Sequence, residues 1–373
     1  MSLHPFDTPI PVTRPNLPPI AAFTAGLAEI WDSRYLSNNG PQLQRFAAEL
    51  LPVVGTPQLR LFANGALALE AALSALPAGG EVITTPFTFV ATGNAILRCG
   101  LRPVFVDIAP ATLTLDPAAV AAAVGPASVA ILGVHVFGTP CDDAALAAIA
   151  RRHGLTLLYD AAHAFGVEVG GRPIGTFGDI SMFSLHATKP FQAVEGGALA
   201  YADAARSAGF DAFANHGMDA GGIVHAAATN AKMSELHALM GRLMLAPMPA
   251  IRTRLAALDA TYRAQLAGVD GITIATQPRA DVVANFGFMP ILVDPAAFGV
   301  DRDALQRHLA RYNVLSRRYF HPLLSAMPAY RHGPATLPVA ERASATVLAL
   351  PLYADLAEDD VARICAMVCA ARR

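Results

Sequence analysis

Charge is thin in this chain and nowhere concentrated. Asp, Glu, Lys and Arg make up 15% of the 373 residues and sum to a formal charge of -2. With no basic run and no interleaving of basic and aromatic residues, the electrostatic footprint of a nucleic-acid binder is missing. Cysteine is sparse too: Cys99, Cys141, Cys365 and Cys369 form no Cys-x-x-Cys pair, which fits a reduced, cytoplasmic compartment. Cys365 and Cys369, four apart in a helical stretch, are expected to pack as small apolar residues. No intact membrane-length run is present. Residues 118–138 are apolar enough by count, but Gly125-Pro126 breaks the run and Asp116-Pro117 opens it as an N-cap followed by proline, so a short helix and then a buried strand are expected. Residues 1–19 carry prolines and no apolar core behind a positive cluster, against a signal peptide, and no repeat of fixed period appears.

Apolar residue is abundant, at 54%, so a large, well-buried core is expected rather than a disordered chain. The length favours two domains, and Pro247-Met248-Pro249 marks the boundary: a large α/β domain over 1–248, with an extended N-terminal arm, and a small α+β domain over 249–373. Short apolar strands are predicted at 59–62, 81–85, 103–106, 129–134, 155–159, 180–184 and 198–201. Helices fall at 20–32, from Pro41 to about 50, and at 65–76, 90–98, 117–124, 143–153 and 233–245. Such alternation means a mostly parallel sheet covered on both faces. Gly170-Gly171 reads as a tight hairpin turn. The small domain is expected to hold helices at 251–266, 301–312 and 358–371 and strands at 272–275 and 286–293.

The stretch 176–201 organises the rest. Lys189 sits between two strand-like runs, where a solvated lysine gains nothing from its neighbours; it reads as a buried, reactive amine, or else as a loop lysine beside Pro190. A desolvated amine can condense with the aldehyde of pyridoxal 5′-phosphate. That cofactor needs an acid at its ring nitrogen, a donor to its ring oxygen, an aromatic plane and a phosphate cradle. Asp160 ends an apolar strand where open α/β sheets place ligands, and suits the ring nitrogen unless it is a helix N-cap for 161–166. His163 suits the ring oxygen; the other readings are a core histidine or half of an Asp-x-x-His metal pair lacking further ligands. Gly65 and Ala66 open a helix whose free amides suit an anion, and Ser184 adds a hydroxyl. Phe89 can stack on a ring or belong to the core.

In this order, Asn64-Gly65, Thr85-Pro86-Phe87-Thr88-Phe89-Val90-Ala91-Thr92, Pro103-Val104-Phe105-Val106-Asp107-Ile108, Asp160-Ala161-Ala162-His163-Ala164-Phe165-Gly166, Gly178-Asp179-Ile180, Ser184-Leu185-His186-Ala187-Thr188-Lys189, Glu195-Gly196-Gly197-Ala198 and Asn230-Ala231-Lys232-Met233-Ser234-Glu235-Leu236 resemble the DegT/DnrJ/EryC1/StrS sugar aminotransferases over nearly the whole chain. The resemblance implies a fold-type-I pyridoxal-phosphate enzyme working as a homodimer with interface active sites, Lys189 as the Schiff-base lysine and Asn230 reaching the partner subunit's phosphate. The family often has Ser-Gly-Thr where this chain has Asn64-Gly65-Ala66, so a hydroxyl contact is lost. Residues 31–41, 62–65 and 186–197, His186 among them, look most similar to the branch that aminates C4 of nucleotide-linked 4-keto-6-deoxy sugars, with L-glutamate as donor and a dTDP-4-keto-6-deoxyglucose-type acceptor. The resemblance leaves transfer to C3, a sugar dehydratase, which would replace the lysine by histidine, and a non-catalytic member as rivals. For the nucleotide sugar, Arg317, Arg318, Tyr319 and His321 are candidates beside the plain reading of a basic turn, and Asn38, Asn39 and Gly40 border the expected substrate mouth. The family often carries tyrosine where His321 stands.

Overall fold

The computed structural model describes residues 3–330 and 336–372. Those parts of the two expected domains that fall at 1–2, 331–335 and 373 lie outside the described residues.

Helices α1 (Ile20–Ser33) and α2 (Pro41–Val54) open the chain. Between them Asn38 and Asn39 are left-handed, at φ 65° and 60°, a region asparagine tolerates better than most residues. The chain then alternates through β1 (Gln58–Phe62), α3 (Gly65–Ser74), β2 (Glu81–Thr84), α4 (Val90–Arg98), β3 (Arg102–Phe105), α5 (Pro117–Ala123), β4 (Ser128–Val134), α6 (Asp143–His153) and β5 (Thr156–Asp160). A hairpin of β6 (Glu168–Val169) and β7 (Arg172–Pro173) turns on Gly170-Gly171, at φ 58° and 76°, which only a residue without Cβ adopts freely in succession. Strands β8 (Ile180–Ser184) and β9 (Gly197–Tyr201) follow.

These strands form a seven-stranded sheet in the order β1-β9-β8-β5-β4-β2-β3. Only β9 runs against its neighbours, pairing antiparallel with β1 and β8. Period-two alternation divides each strand between two cores. Ile131 and Leu157 pack with α2, α5 and α6, whereas Leu132 and Leu158 pack with α3 and α4. Burial on both faces is why the strands read as continuous apolar runs.

After β9 come α7 (Ser207–Ala214), α8 (Glu235–Leu245) and α9 (Met248–Leu266). The remainder holds β10 (Ile272–Ile274), β11 (Val282–Val283), β12 (Met289–Val293), α10 (Pro295–Phe298), α11 (Arg302–Ala310), α12 (Pro338–Thr346), β13 (Val347–Leu350) and α13 (Glu358–Ala370). Its antiparallel sheet β10-β12-β13 shares a core with α9, α11 and α13 through Leu258, Tyr262, Ile291, Leu305, Leu348 and Ile364. The N-terminal arm docks there. Phe6 is buried in that core, and Ile10 bridges to Val314.

Several expectations need correcting. The strand expected over 286–293 begins at Met289. Helix α8 begins at Glu235 rather than Met233, because Ser234 accepts from the His237 N–H as N-cap. Pro247-Met248-Pro249 does not precede the next helix but lies at its start, since proline is tolerated in a first turn. Helices α7 and α12 and strand β13 were not expected: α12 runs into β13 with no turn residue between Thr346 and Val347. Cys365 is buried as expected, but Cys369 is exposed. No helix among the described residues is long and apolar enough to cross a membrane.

Candidate active site

In a parallel sheet the strand ends that face ligands lie along one edge. Here that edge gathers the turn after β1, the end of β5, the end of β8 and the segment after β2. Asp160 closes β5, in register with Val134 on one side and Met182 on the other. Gly65 opens α3 beside Ser184: a Cβ on Gly65 would lie 3.1 Å from the Ser184 Cβ. Gly197 permits the same approach from β9, since a Cβ there would stand 2.3 Å from the Asn64 carbonyl oxygen. Asn64 caps α3, Oδ1 accepting from the Leu67 N–H at 2.9 Å. The amides of Gly65 and Ala66 precede the first residue that this cap satisfies, and so remain available to an anion.

Lys189 lies in the loop between β8 and β9, and its backbone N–H donates to the His186 carbonyl at 2.9 Å. The loop is pinned from outside: Asn16 donates to the Pro190 carbonyl, and Gln192 donates back to the Asn16 carbonyl. Phe191 stacks on Phe165 with ring centroids 4.1 Å apart. The Lys189 Nζ has no hydrogen bond or ion pair among the described residues; it stands 5.6 Å from the Phe288 ring centre. Burial pulls its pKa down to about 8, against the attraction of Asp160, so the neutral amine is accessible near physiological pH.

Asp160 is 5% exposed. Burial pushes its carboxyl up, while the Thr92 hydroxyl, the Ala162 N–H and the Lys189 charge pull it back. Residues 161–166 form turns, not a helix, so Asp160 is no helix N-cap; its Oδ1 closes a local turn by accepting from Ala162 N–H at 3.1 Å. His163 Nδ1 accepts from the Phe137 N–H at 3.1 Å. In the neutral ring that puts the proton on Nε2 and leaves it free to donate. Burial, followed by the Lys189 charge, holds the His163 pKa well below its ordinary value. No metal-holding group of three His, Cys, Asp or Glu exists among the described residues.

A cleft of about 340 Å³ adjoins this edge, lined by Thr88, Phe89, Arg317, Arg318, Tyr319 and His321 among others. Phe89 is 57% exposed, so its face is open rather than part of the core. Of the two arginines, Arg318 stands 3.5 Å from Asp303. The Arg317 side chain is exposed and has no partner among the described residues. The Ser344 hydroxyl donates to the Phe320 carbonyl at 2.7 Å, so His321 Nδ1 donates to Ser344 at 3.2 Å.

Three expected residues lie apart from this cluster of side chains. His186 supports the lysine loop, its Nδ1 accepting from the Thr188 N–H and its Nε2 lying 3.5 Å from Glu195. Asn38 is exposed, its carbonyl accepting from the Tyr35 hydroxyl. Asn230 is exposed at the protomer surface, next to Ala231, whose carbonyl accepts from Ala63 N–H at 2.7 Å beside the phosphate-cradle turn. The sequence reading missed Phe288, which lies 4.1 Å ring to ring from His163, and nothing local marks it. It also missed Thr92, although Thr88 and Thr92 are one helical turn apart. For Lys189 a further signal was present: of 27 basic residues only Lys189 and Lys232 are lysines.

A model of the DegT/DnrJ/EryC1/StrS aminotransferase family matches residues 20–369. The chain is 40% identical over 356 residues to a dTDP-4-amino-4,6-dideoxy-D-glucose transaminase of Shigella dysenteriae, covering 95% of this chain and 96% of that one. It is 39% identical over 363 residues to the Escherichia coli protein of the same name, covering 96% and 97%. Among solved structures, DesI in the presence of its TDP-sugar product superposes with a TM-score of 0.93 at 38% identity, over 98% of this chain and 94% of that one.

Proposed function

The chain belongs to the DegT/DnrJ/EryC1/StrS aminotransferase family, and on that premise we propose that it moves an amino group from L-glutamate to C4 of a dTDP-4-keto-6-deoxyglucose-type sugar. Its cofactor is pyridoxal 5′-phosphate, and its fold is that of the fold-type-I transferases. The observation that carries the reading is the pairing, on one sheet edge, of an unpartnered lysine amine with a buried carboxylate and a histidine whose free nitrogen is the donor.

These residues fit the cofactor. Asp160 takes the protonated ring nitrogen, His163 Nε2 donates to the ring oxygen, and Phe89 covers the ring face. The amides of Gly65 and Ala66 and the Ser184 hydroxyl hold the phosphate, with Asn230 of a second subunit completing the cradle. Bound there, the cofactor supplies an electron sink for the carbanion left when a substrate carbon loses its proton. Lys189 would be the base that takes this proton at Nζ and holds it for return, which a neutral amine of depressed pKa can do. Arg317 and Arg318 offer guanidinium groups to the sugar's diphosphate or to the glutamate carboxylate. On this reading the enzyme is a cytoplasmic homodimer, each protomer divided into the domains 1–248 and 249–373.

The test is the visible absorption of protein loaded with the cofactor, for wild type and Lys189→Ala, before and after glutamate and then with 4-keto and 3-keto nucleotide sugars. Glutamate is expected to bleach the wild-type band, a 4-keto sugar to restore it, and the variant to transfer roughly a thousandfold more slowly. A wild-type band indifferent to every amino donor would sink the reading.

A further inference from the structure

Asp160 is held by more than the strand it ends. Its Oδ2 accepts from the Thr92 hydroxyl at 2.8 Å, and that hydroxyl lies 2.8 Å from the hydroxyl of Thr88. Because Thr92 gives its single proton to the carboxylate, Thr88 must donate to Thr92, and the direction of the chain is fixed. The three groups are almost sealed, with Thr92 0%, Thr88 3% and Asp160 5% exposed. The relay starts at the cleft wall, where Thr88 neighbours Phe89, and runs through the first turn of α4 to the sheet edge. Valine would fill the same volume at either threonine. Two hydroxyls buried in an apolar wall carry a desolvation cost that only their hydrogen bonds offset, so their presence calls for a polar role.

We propose that Thr92, with its hydroxyl directed by Thr88, is a positioning residue for amino transfer: it fixes the Asp160 carboxylate and keeps it ionised against the ring nitrogen of the bound cofactor. The inference rests on the reading of Asp160 given above. Among the titratable groups nearby, Lys189 is the cation acting on Asp160, while burial keeps His163 and His135 neutral. Removing the Thr92 donor leaves burial less opposed, and the carboxyl rises further from its ordinary range.

The experiment compares wild type, Thr92→Val, Thr92→Ser, Thr88→Val and Asp160→Asn. It measures the dissociation constant of pyridoxal 5′-phosphate, the pH at which the bound cofactor's visible band changes, and the split between kcat and the KM for glutamate. Thr92→Val is expected to weaken cofactor binding and lower kcat, each by about tenfold, to shift the spectral midpoint, and to leave KM nearly unchanged. Thr92→Ser restores all three, and Thr88→Val gives a smaller loss in the same direction. If Thr92→Val does not fold, Thr92→Cys, a weak donor of similar size, must shift the band likewise. A Thr92→Val protein that binds and titrates the cofactor as wild type does, while Asp160→Asn does not, overturns this proposal alone. If Asp160→Asn is also unchanged, the assignment of Asp160 has failed.

Discussion

A lysine whose pKa is pulled down to about 8 from 10.5 lowers the stability of the cofactor-free chain at neutral pH. Between those two values the unfolded chain holds a proton that the folded chain has released, so stability rises with pH across that window and the cost is in full force below pH 8. The shift, in which the attraction of Asp160 is already counted, corresponds to about 3 kcal/mol at most. Lys189→Met is therefore expected to stabilise the cofactor-free protein by about 1–3 kcal/mol at pH 7, with the gain vanishing above pH 10; denaturant titrations at several pH values check it. Amino transfer should also rise with pH toward a plateau above about 8, as the Nζ becomes the free base. At this scale Lys189 and Asp160 could be singled out in the sequence, the one set between two strand-like runs and the other ending an apolar strand, each beside a plainer reading as a loop lysine or a helix N-cap. Thr92 and Phe288 could not: the one is an ordinary helix residue and the other an ordinary apolar one, until the fold carries them beside Asp160 and His163.

Among the elements, α12 has an N-cap residue, Leu337, whose side chain makes no cap bond; Glu341 of the helix accepts from the Leu337 N–H at 3.2 Å, and the next amides are capped from a distant part of the chain. Asp107, after β3, accepts from the N–H groups of Val339 and Ala340 at 3.0 and 2.8 Å. Helix α12 in turn carries Ser344, which holds Phe320 and His321 at the cleft wall. Asp107→Ala should therefore lower stability by about 1–2 kcal/mol and raise the KM for the nucleotide sugar several-fold, leaving the glutamate half of the reaction nearly intact; half-reaction kinetics would distinguish this from general unfolding. Glu235 acts similarly on α2, its carboxylate accepting from the Gln42 and Leu43 amides at 2.7 and 3.1 Å. Glu235→Ala should cost about 2 kcal/mol in thermal unfolding. Periodicity revealed the strands of the large sheet to within a residue or so at each end, because burial on both faces leaves no ambiguity. It did not reveal β13, four residues that follow a helix directly, nor either long-range cap, which pairs residues over a hundred positions apart.

For the whole molecule, the exposure of Asn230 and the open apolar residues in and around α1, with Ile20 77% and Leu36 55% exposed, support the dimer proposed above. If each site draws Lys189 from one subunit and Asn230 from the other, protomers carrying Lys189→Ala and Asn230→Ala should complement each other. Unfolded and refolded together, the two inactive variants would recover roughly a quarter of wild-type activity, since half the dimers are mixed and each mixed dimer has one intact site. Assay of the mixture against each variant refolded alone decides it; no recovery would place both residues in the same subunit's site.

The same α1 surface has an optical consequence. Trp31 is the chain's single tryptophan and is 63% exposed in the isolated protomer. Its emission reports one location without competition, so a monomer should fluoresce like indole in water, and a partner covering the helix should move the emission to shorter wavelength. Dilution then makes the assembly readable from the colour of its own light, with no label attached.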